Sequence, residues 1–314
     1  MLTRSAVTAA VARLDGQVRR TPLLAVDPGF LAGPAWLKLE FLQHTGSFKA
    51  RGAFNRQLAA RESGELDGAV GVVAASGGNA GLANAYAARQ LGVPATVFVP
   101  TTAPQIKVDK LRAYGAAVVQ HGAEYAVAYE AAVKHAAETG ALFCHAYDQP
   151  EIVAGAGTIG VELLDQLDRV DTVVIAVGGG GLLAGVAAAV EGRARVVGVE
   201  PQTIPTLHSA LAAGGPVDIA VSGIAADSLG ARRLGDIAYE VAVRTGVASV
   251  LVSDADIVAA RRLLWDRWRI VVEHGAAAAL AAVTAGAYRP ASDERLAIVL
   301  CGANTDPADL AWRS

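Results

Sequence analysis

Lys49 lies in the stretch HTGSFKARGAF, His44 to Phe54, and is one of only five lysines among 314 residues, nearly every other cation being arginine. Helical periodicity begins at this point and predicts a helix running to about Arg61, with Lys49 in its first turn. The partial positive charge at a helix N-terminus disfavours an ammonium there and lowers the pKa of the amine. A neutral amine can form a Schiff base or remove a proton from carbon. Arginine, which stays protonated, can do neither. A surface lysine whose stem covers apolar neighbours is the plainer reading of the same residue.

Two glycine-rich turns could hold what such an amine works on. VGGGGLLAG, Val177 to Gly185, follows a β-branched run and opens an alanine-rich helical pattern. Gly178, Gly179, Gly180 and Gly181 leave backbone N–H groups uncovered at a helix start, an arrangement that cradles phosphate. Gly179, Gly181 and Ala184 also satisfy the spacing of a dinucleotide fingerprint, with Glu200 ending the next strand where a ribose-binding acid belongs. A tight strand-to-helix turn with close packing is a third reading. A nucleoside triphosphate loop is disfavoured, because no Lys-Ser or Lys-Thr follows the glycines. ASGGNAG, Ala75 to Gly81, repeats the design on a smaller scale. Here Ser76 reads as an N-cap, and the free N–H groups suit a small carboxylate. Two anion cradles of different size point to a ligand phosphate and a substrate carboxylate.

These residues need a scaffold that gathers strand ends. After Phe54, short β-branched runs alternate with helix-period segments: AVGVVAAS, NAGLANAYAARQLG, ATVFVP, a helix from about Pro104, AAVVQ, a helix around Ala126 to Ala137, then LFCH. The alternation continues through DTVVIAV, the glycine run and its helix, ARVVGVE, helices from about Asp254 and Gly275, and LAIVLCG. The pattern predicts an α/β protein with open parallel sheets covered by helices on both faces. Ligands bind such sheets past the strand ends, where both glycine turns lie. No fixed-period repeat or flexible linker appears, so two halves are expected to be interwoven.

Composition narrows the function classes. The net charge is -3, with acids and bases interspersed, which leaves no basic face for nucleic acid. Cys144 and Cys301 are far apart and form no CxxC, so neither a disulfide framework nor a zinc spacing is present, and a reducing cytoplasm fits. Arg13 and Asp15 interrupt the mildly apolar N-terminus, which reads as an amphipathic helix and not as a signal peptide. The uncharged stretch from Thr172 to Val190 approaches the length of a membrane span. Four consecutive glycines divide it into strand, loop and helix, since Gly costs ~1 kcal/mol per helical position.

TGSFKARGA, SGGNAG, VGGGGLLAG, EHGAAAALAAV and CGANTD occur in the order and at about the spacings of the fold-type II enzymes dependent on pyridoxal phosphate. Over nearly its whole length the chain resembles the serine and threonine dehydratases of that group. The resemblance implies a tryptophan synthase β-like fold, with a large cofactor-binding domain (1–56 plus 147–314) and a small substrate-gating domain (57–146). It implies that Lys49 forms the Schiff base with pyridoxal phosphate and later acts as general base, with Ser76 as its catalytic companion. Phe48 would pack on the cofactor ring, Gly178 to Gly181 and Leu182 would hold its phosphate, and Asn79 would bond its phenolic oxygen. Ser76, Gly77, Gly78, Asn79 and Ala80 would take the carboxylate of an amino-acid substrate. Cys301 would face the pyridine nitrogen, where a neutral thiol leaves a weaker electron sink suited to elimination. The implied reaction converts L-threonine or L-serine to a 2-oxo acid and ammonia, in a homodimer. A racemase or synthase of the same fold, a D-amino-acid or 3-hydroxyaspartate dehydratase, and a non-catalytic sensor binding the cofactor or a nucleotide are the alternatives.

Some positions depart from the family pattern. Gly77 stands where racemising members carry a second hydroxyl, so racemisation is expected to be minor. Ala80 replaces a frequent His, as in serine dehydratases, and His274 replaces a usual Pro and is expected to pack. Glu200 matches an acid near a cation site, but PQTIPT lacks the partner acid, which favours potassium on backbone carbonyls over magnesium. The chain ends at Ser314, soon after CGANTD, and the expectation is a short, catabolic form without an isoleucine-binding regulatory domain.

Overall fold

The computed structural model describes residues 1–310. In chain order its strands are β1 (Leu23–Ala25), β2 (Ala35–Lys38), β3 (Val72–Ala75), β4 (Ala95–Val99), β5 (Ala117–Gln120), β6 (Leu142–Cys144), β7 (Thr172–Ala176), β8 (Arg195–Pro201), β9 (Ala248–Val252) and β10 (Leu296–Val299). The helices are α1 (Arg4–Arg13), α2 (Lys49–Ser63), α3 (Asn79–Leu91), α4 (Gln105–Ala113), α5 (Tyr125–Thr139), α6 (Pro150–Gln166), α7 (Gly181–Val190), α8 (Thr206–Ala213), α9 (Ala226–Leu229), α10 (Asp236–Thr245), α11 (Asp254–Trp268) and α12 (His274–Thr284). Within the described residues the strands form a six-stranded sheet, β1-β2-β10-β7-β8-β9, and a four-stranded one, β5-β4-β3-β6.

The smaller sheet is parallel throughout, as the strand-helix alternation predicts. The larger one is mixed, because β1 pairs antiparallel to β2, with Leu23 opposite Lys38. The short link between those two strands has no room for the crossover helix that a parallel pair requires. β1, β2, β9, α6, α8, α9 and α10 all fall in stretches where the sequence pattern alone marks no element. The uncharged stretch at Thr172 divides into β7 and α7 as expected, and no helix among the described residues is long and apolar enough to cross a membrane.

β7 and β10 are buried along their whole lengths, and alanine-rich α7 is buried on every side. Small residues let these layers approach closely. A Cβ at Gly185 of α7 would stand 2.2 Å from the Val153 carbonyl oxygen of α6, so only glycine permits this crossing.

α2, which begins at Lys49, is held at its start from both directions. Phe48 donates its backbone N–H to the Cys301 carbonyl at 3.0 Å, just past β10, and Ser47 bridges to Gly302. Two residues on, the buried Arg51 grips Glu40 through Nε at 2.9 Å and Nη2 at 2.7 Å, and reaches Glu162 of α6 at 2.6 Å. Burial by itself would lower the pKa of this guanidinium, and the two carboxylates more than reverse that, so the cation is fixed. Removing either carboxylate would leave a buried charge unpaired. The Lys49 end of α2 is thereby tied to the end of β10 and to α6.

Candidate active site

Lys49 is the first residue of α2, and its Nζ donates to the carbonyl of Ala146 at 2.7 Å. Its pKa is lowered from the ordinary lysine value to about 8. Burial is the main cause, where the sequence alone points to the helix dipole; Cys301 and Glu273 oppose the shift. Burial pushes the Cys301 thiol up to about 12, so this neighbour is neutral at neutral pH. Phe48 lies alongside, its ring centroid 5.0 Å from the amine.

The four-glycine turn links β7 to α7. Gly180 has φ +87°, and a Cβ on Gly179 would stand 2.3 Å from the ring of Tyr147, which packs over the turn. Among the described residues no protein acceptor takes the N–H groups of Gly179, Gly180, Gly181 or Leu182. Phe48, Lys49, Asn79, these glycines, Leu182 and Cys301 line one recess. The recess shares Lys49, Asn79 and Tyr147 with a cleft of about 710 Å³ between the two sheets.

Ser76, Gly77, Gly78, Asn79 and Ala80 line that cleft too. Ser76 is not the N-cap of α3, as its place in the motif predicts. Gly78 holds that position, and Ser76 Oγ accepts the N–H of Gly78 at 3.2 Å, closing a turn one step earlier. A Cβ on Gly81 would stand 1.9 Å from the Ser76 carbonyl oxygen, so the turn folds back on the helix start. The N–H groups of Gly77, Asn79, Ala80 and Gly81 have no protein acceptor among the described residues and remain open to an anion.

Glu200, which sequence reasoning considers as a cation ligand, is placed as a helix cap. It is fully buried, and it accepts from Thr206 Oγ1 at 2.8 Å, Leu207 N at 2.6 Å and His208 N at 2.9 Å, so that both oxygens cap α8. Burial raises its carboxyl to about 7 against the opposing pull of those donors. Among the described residues no group of three or more His, Cys, Asp or Glu could hold a metal. His274 begins α12 with Nε2 3.4 Å from the Arg261 guanidinium.

A family described as pyridoxal-phosphate dependent enzyme matches residues 14–302. The chain belongs to that family. Among curated relatives, phenylserine dehydratase of Ralstonia pickettii is 38% identical, the match covering 98% of this chain and 94% of that protein. L-threonine ammonia-lyase of Thermotoga maritima is 35% identical over 98% of this chain and 76% of that protein. A solved T.th. threonine deaminase superposes with a TM-score of 0.87 at 37% identity, covering 97% of this chain and 99% of that one. The fold is that of a fold-type II pyridoxal-phosphate enzyme, and the chain is a lyase.

The residues of this pyridoxal-phosphate enzyme fit the cofactor. The glycine turn offers unclaimed N–H groups with no side chain in the way, and the recess holds a lysine of depressed pKa beside Phe48 and a neutral thiol.

Sequence reasoning misses several members of the site. Glu273 and Asn304 both hold Asn79, yet their motifs, EHGAAAALAAV and CGANTD, read only as family markers. An acid directly before an uninterrupted apolar helix is the available signal for Glu273. Tyr147 and Ala146 lie in no glycine motif, and nothing local marks them.

Proposed function

We propose that this enzyme eliminates water from 2-amino-3-hydroxy acids, L-threonine and L-serine among them, to give a 2-oxo acid and ammonia. One observation carries the reading: Lys49, the glycine turn and the open start of α3 line one continuous recess and cleft. The relatives named for phenylserine and threonine support it, since both compounds carry an amine, a carboxylate and a β-hydroxyl.

Pyridoxal phosphate, when bound, would draw electrons away from the substrate's α-carbon and make its proton removable. Gly179 to Leu182 would hold the phosphate, and Cys301, buried and neutral, would meet the ring without bringing a charge to it. The N–H groups at the start of α3 would take the substrate carboxylate, with Ser76 shaping the turn that presents them. The amine of Lys49, once released, is the base that removes the α-proton. A pKa near 8 lets it accept that proton and return it within the working range. Gly77 presents no hydroxyl to the cleft, which favours departure of the β-substituent over reprotonation. Atoms balance as one water lost in elimination and one consumed when the enamine hydrolyses to 2-oxo acid and ammonia.

The division into a large domain (1–56 plus 147–314) and a small gating domain (57–146) is part of the same proposal. It is supported by the carboxylate cradle belonging to the smaller sheet and the phosphate cradle to the larger. A catabolic cytoplasmic homodimer completes it, with both cysteines buried and free in support of a reducing compartment. The test is 2-oxo acid release from L-threonine and L-serine by the holoenzyme, with Lys49→Ala as control. Release that persists in that variant rejects the assignment.

A further inference from the structure

We propose that the cleft is shaped for 2-amino-3-hydroxy acids bearing an aryl group on the β-carbon, and that Tyr125 and Tyr129 of α5 seat that ring. The inference rests on the elimination reading above and names the substrate class for it.

Tyr125, Tyr129, His145 and Tyr147 line one wall of the cleft. They form a ladder of ring contacts: Tyr147 to His145 with centroids 4.7 Å apart at 78°, His145 to Tyr129 at 5.8 Å and 83°, and Tyr129 to Tyr125 at 6.1 Å and 38°. Phe143 backs Tyr129 edge-to-face at 5.6 Å. Edge-to-face and tilted arrangements of this kind accept one more ring at the same spacing. The ladder starts beside the reacting amine, because Ala146, whose carbonyl binds Lys49 Nζ, sits between His145 and Tyr147.

The inner rungs are committed. Tyr147 packs over Gly179, and its hydroxyl donates to the Arg233 carbonyl at 3.2 Å. His145 Nδ1 accepts the N–H of Asp148 at 2.8 Å, which fixes that nitrogen as an acceptor. Tyr125 ends the ladder with 48% of its surface exposed, an aromatic face at the cleft with no further ring against it among the described residues. The cleft mouth does carry cations, Arg232 and Arg233 together with Lys107, but Lys107 is paired with Asp227. The run of rings that begins beside the amine favours an aryl group, and the hydroxyaspartate arm of the test weighs Arg232 and Arg233 against it.

The test measures kcat/KM of the holoenzyme for L-threo-3-phenylserine, L-threonine and L-threo-3-hydroxyaspartate, in the parent protein, Tyr125→Ala and Tyr129→Leu. A parallel readout is inhibition of threonine turnover by L-phenylalanine, which has no hydroxyl to lose, against L-alanine. The expected result is preference for phenylserine in the parent, a phenylserine-to-threonine ratio reduced about tenfold or more in each variant, and a matching loss of phenylalanine's advantage over alanine. Preference for threonine or hydroxyaspartate in the parent, or variants that slow phenylserine and threonine by the same factor, overturns the proposal. Absence of 2-oxo acid from every substrate rejects the dehydratase reading instead. In that case phenylalanine binding, followed by the change in cofactor absorbance, decides the aryl seat separately: tighter binding than alanine that weakens in the variants supports it, and equal binding overturns it.

Discussion

Asn79 Nδ2 lies 2.9 and 3.0 Å from the two carboxylate oxygens of Glu273. Asn79 begins α3, packed on the smaller sheet, and Glu273 precedes α12, packed on the larger, so the pair joins the two sides of the cleft at its base. Asn304 completes the knot, donating N–H to Glu273 at 3.0 Å and Nδ2 to Asn79 Oδ1 at 2.7 Å. Burial raises the Glu273 carboxyl, and Asn79 and Asn304 pull it back. Glu273→Ala strands these donors in a buried site, a loss of about 1–3 kcal/mol of stability. A lowered melting temperature together with at least a tenfold fall in kcat/KM is expected, and melting curves run beside kinetics check both.

Lys49→Ala should abolish turnover and the covalent cofactor band while leaving far-UV circular dichroism unchanged. The fold has no need of the ammonium, since burial penalises its charge. Lys49→Arg should fail as completely, because a guanidinium does not deprotonate at working pH.

The pKa of about 8 sets a pH window. A folded-state value below the unfolded one means that the unfolded chain binds more protons between about 8 and 10.4. Stability of the cofactor-free protein should therefore rise with pH across that window, by this group's contribution, and be lowest below it. In the proposed role of Lys49 the neutral amine is the form that attacks the cofactor, so the rate at which the covalent band forms should climb through about pH 8 and level off. Stopped-flow absorbance at fixed cofactor concentration measures it, and a rate still climbing steeply at pH 10 would contradict the buried-amine account.

Gly179→Ala puts a methyl 2.3 Å from the Tyr147 ring. The ring or the turn must move, and overpacking of this sort costs about 1–3 kcal/mol. Because the turn is also the proposed phosphate cradle, cofactor affinity should fall by about tenfold or more, read by equilibrium dialysis.

Lys107 of α4 and Asp227 of α9 pair across the cleft mouth, with side chains 31% and 65% exposed. Such a pair contributes under about 1 kcal/mol and is screened by salt. Asp227→Asn should raise KM by a few-fold in dilute buffer, and the difference from the parent should shrink as salt is added.

The chain's own order determined a good deal. Alternating β-branched runs and alanine-rich periods dictate parallel α/β layers. A lysine directly behind Gly-Ser-Phe and two glycine turns at strand ends are local features whose chemistry depends only on a few neighbouring residues. Tertiary structure decided the rest. The antiparallel β1, the use of Glu200 as a cap for α8, and the displacement of Ser76 from the N-cap of α3 depend on where distant segments pack. So do the cause of the lowered Lys49 pKa and the knot around Asn79. Lys49 meets its Ala146 acceptor across 97 positions, and Asn79 meets Glu273 across 194. Propensity and capping rules act within a few residues along the chain, whereas burial is set by whatever the fold brings near, and burial is what lowers the pKa of this amine.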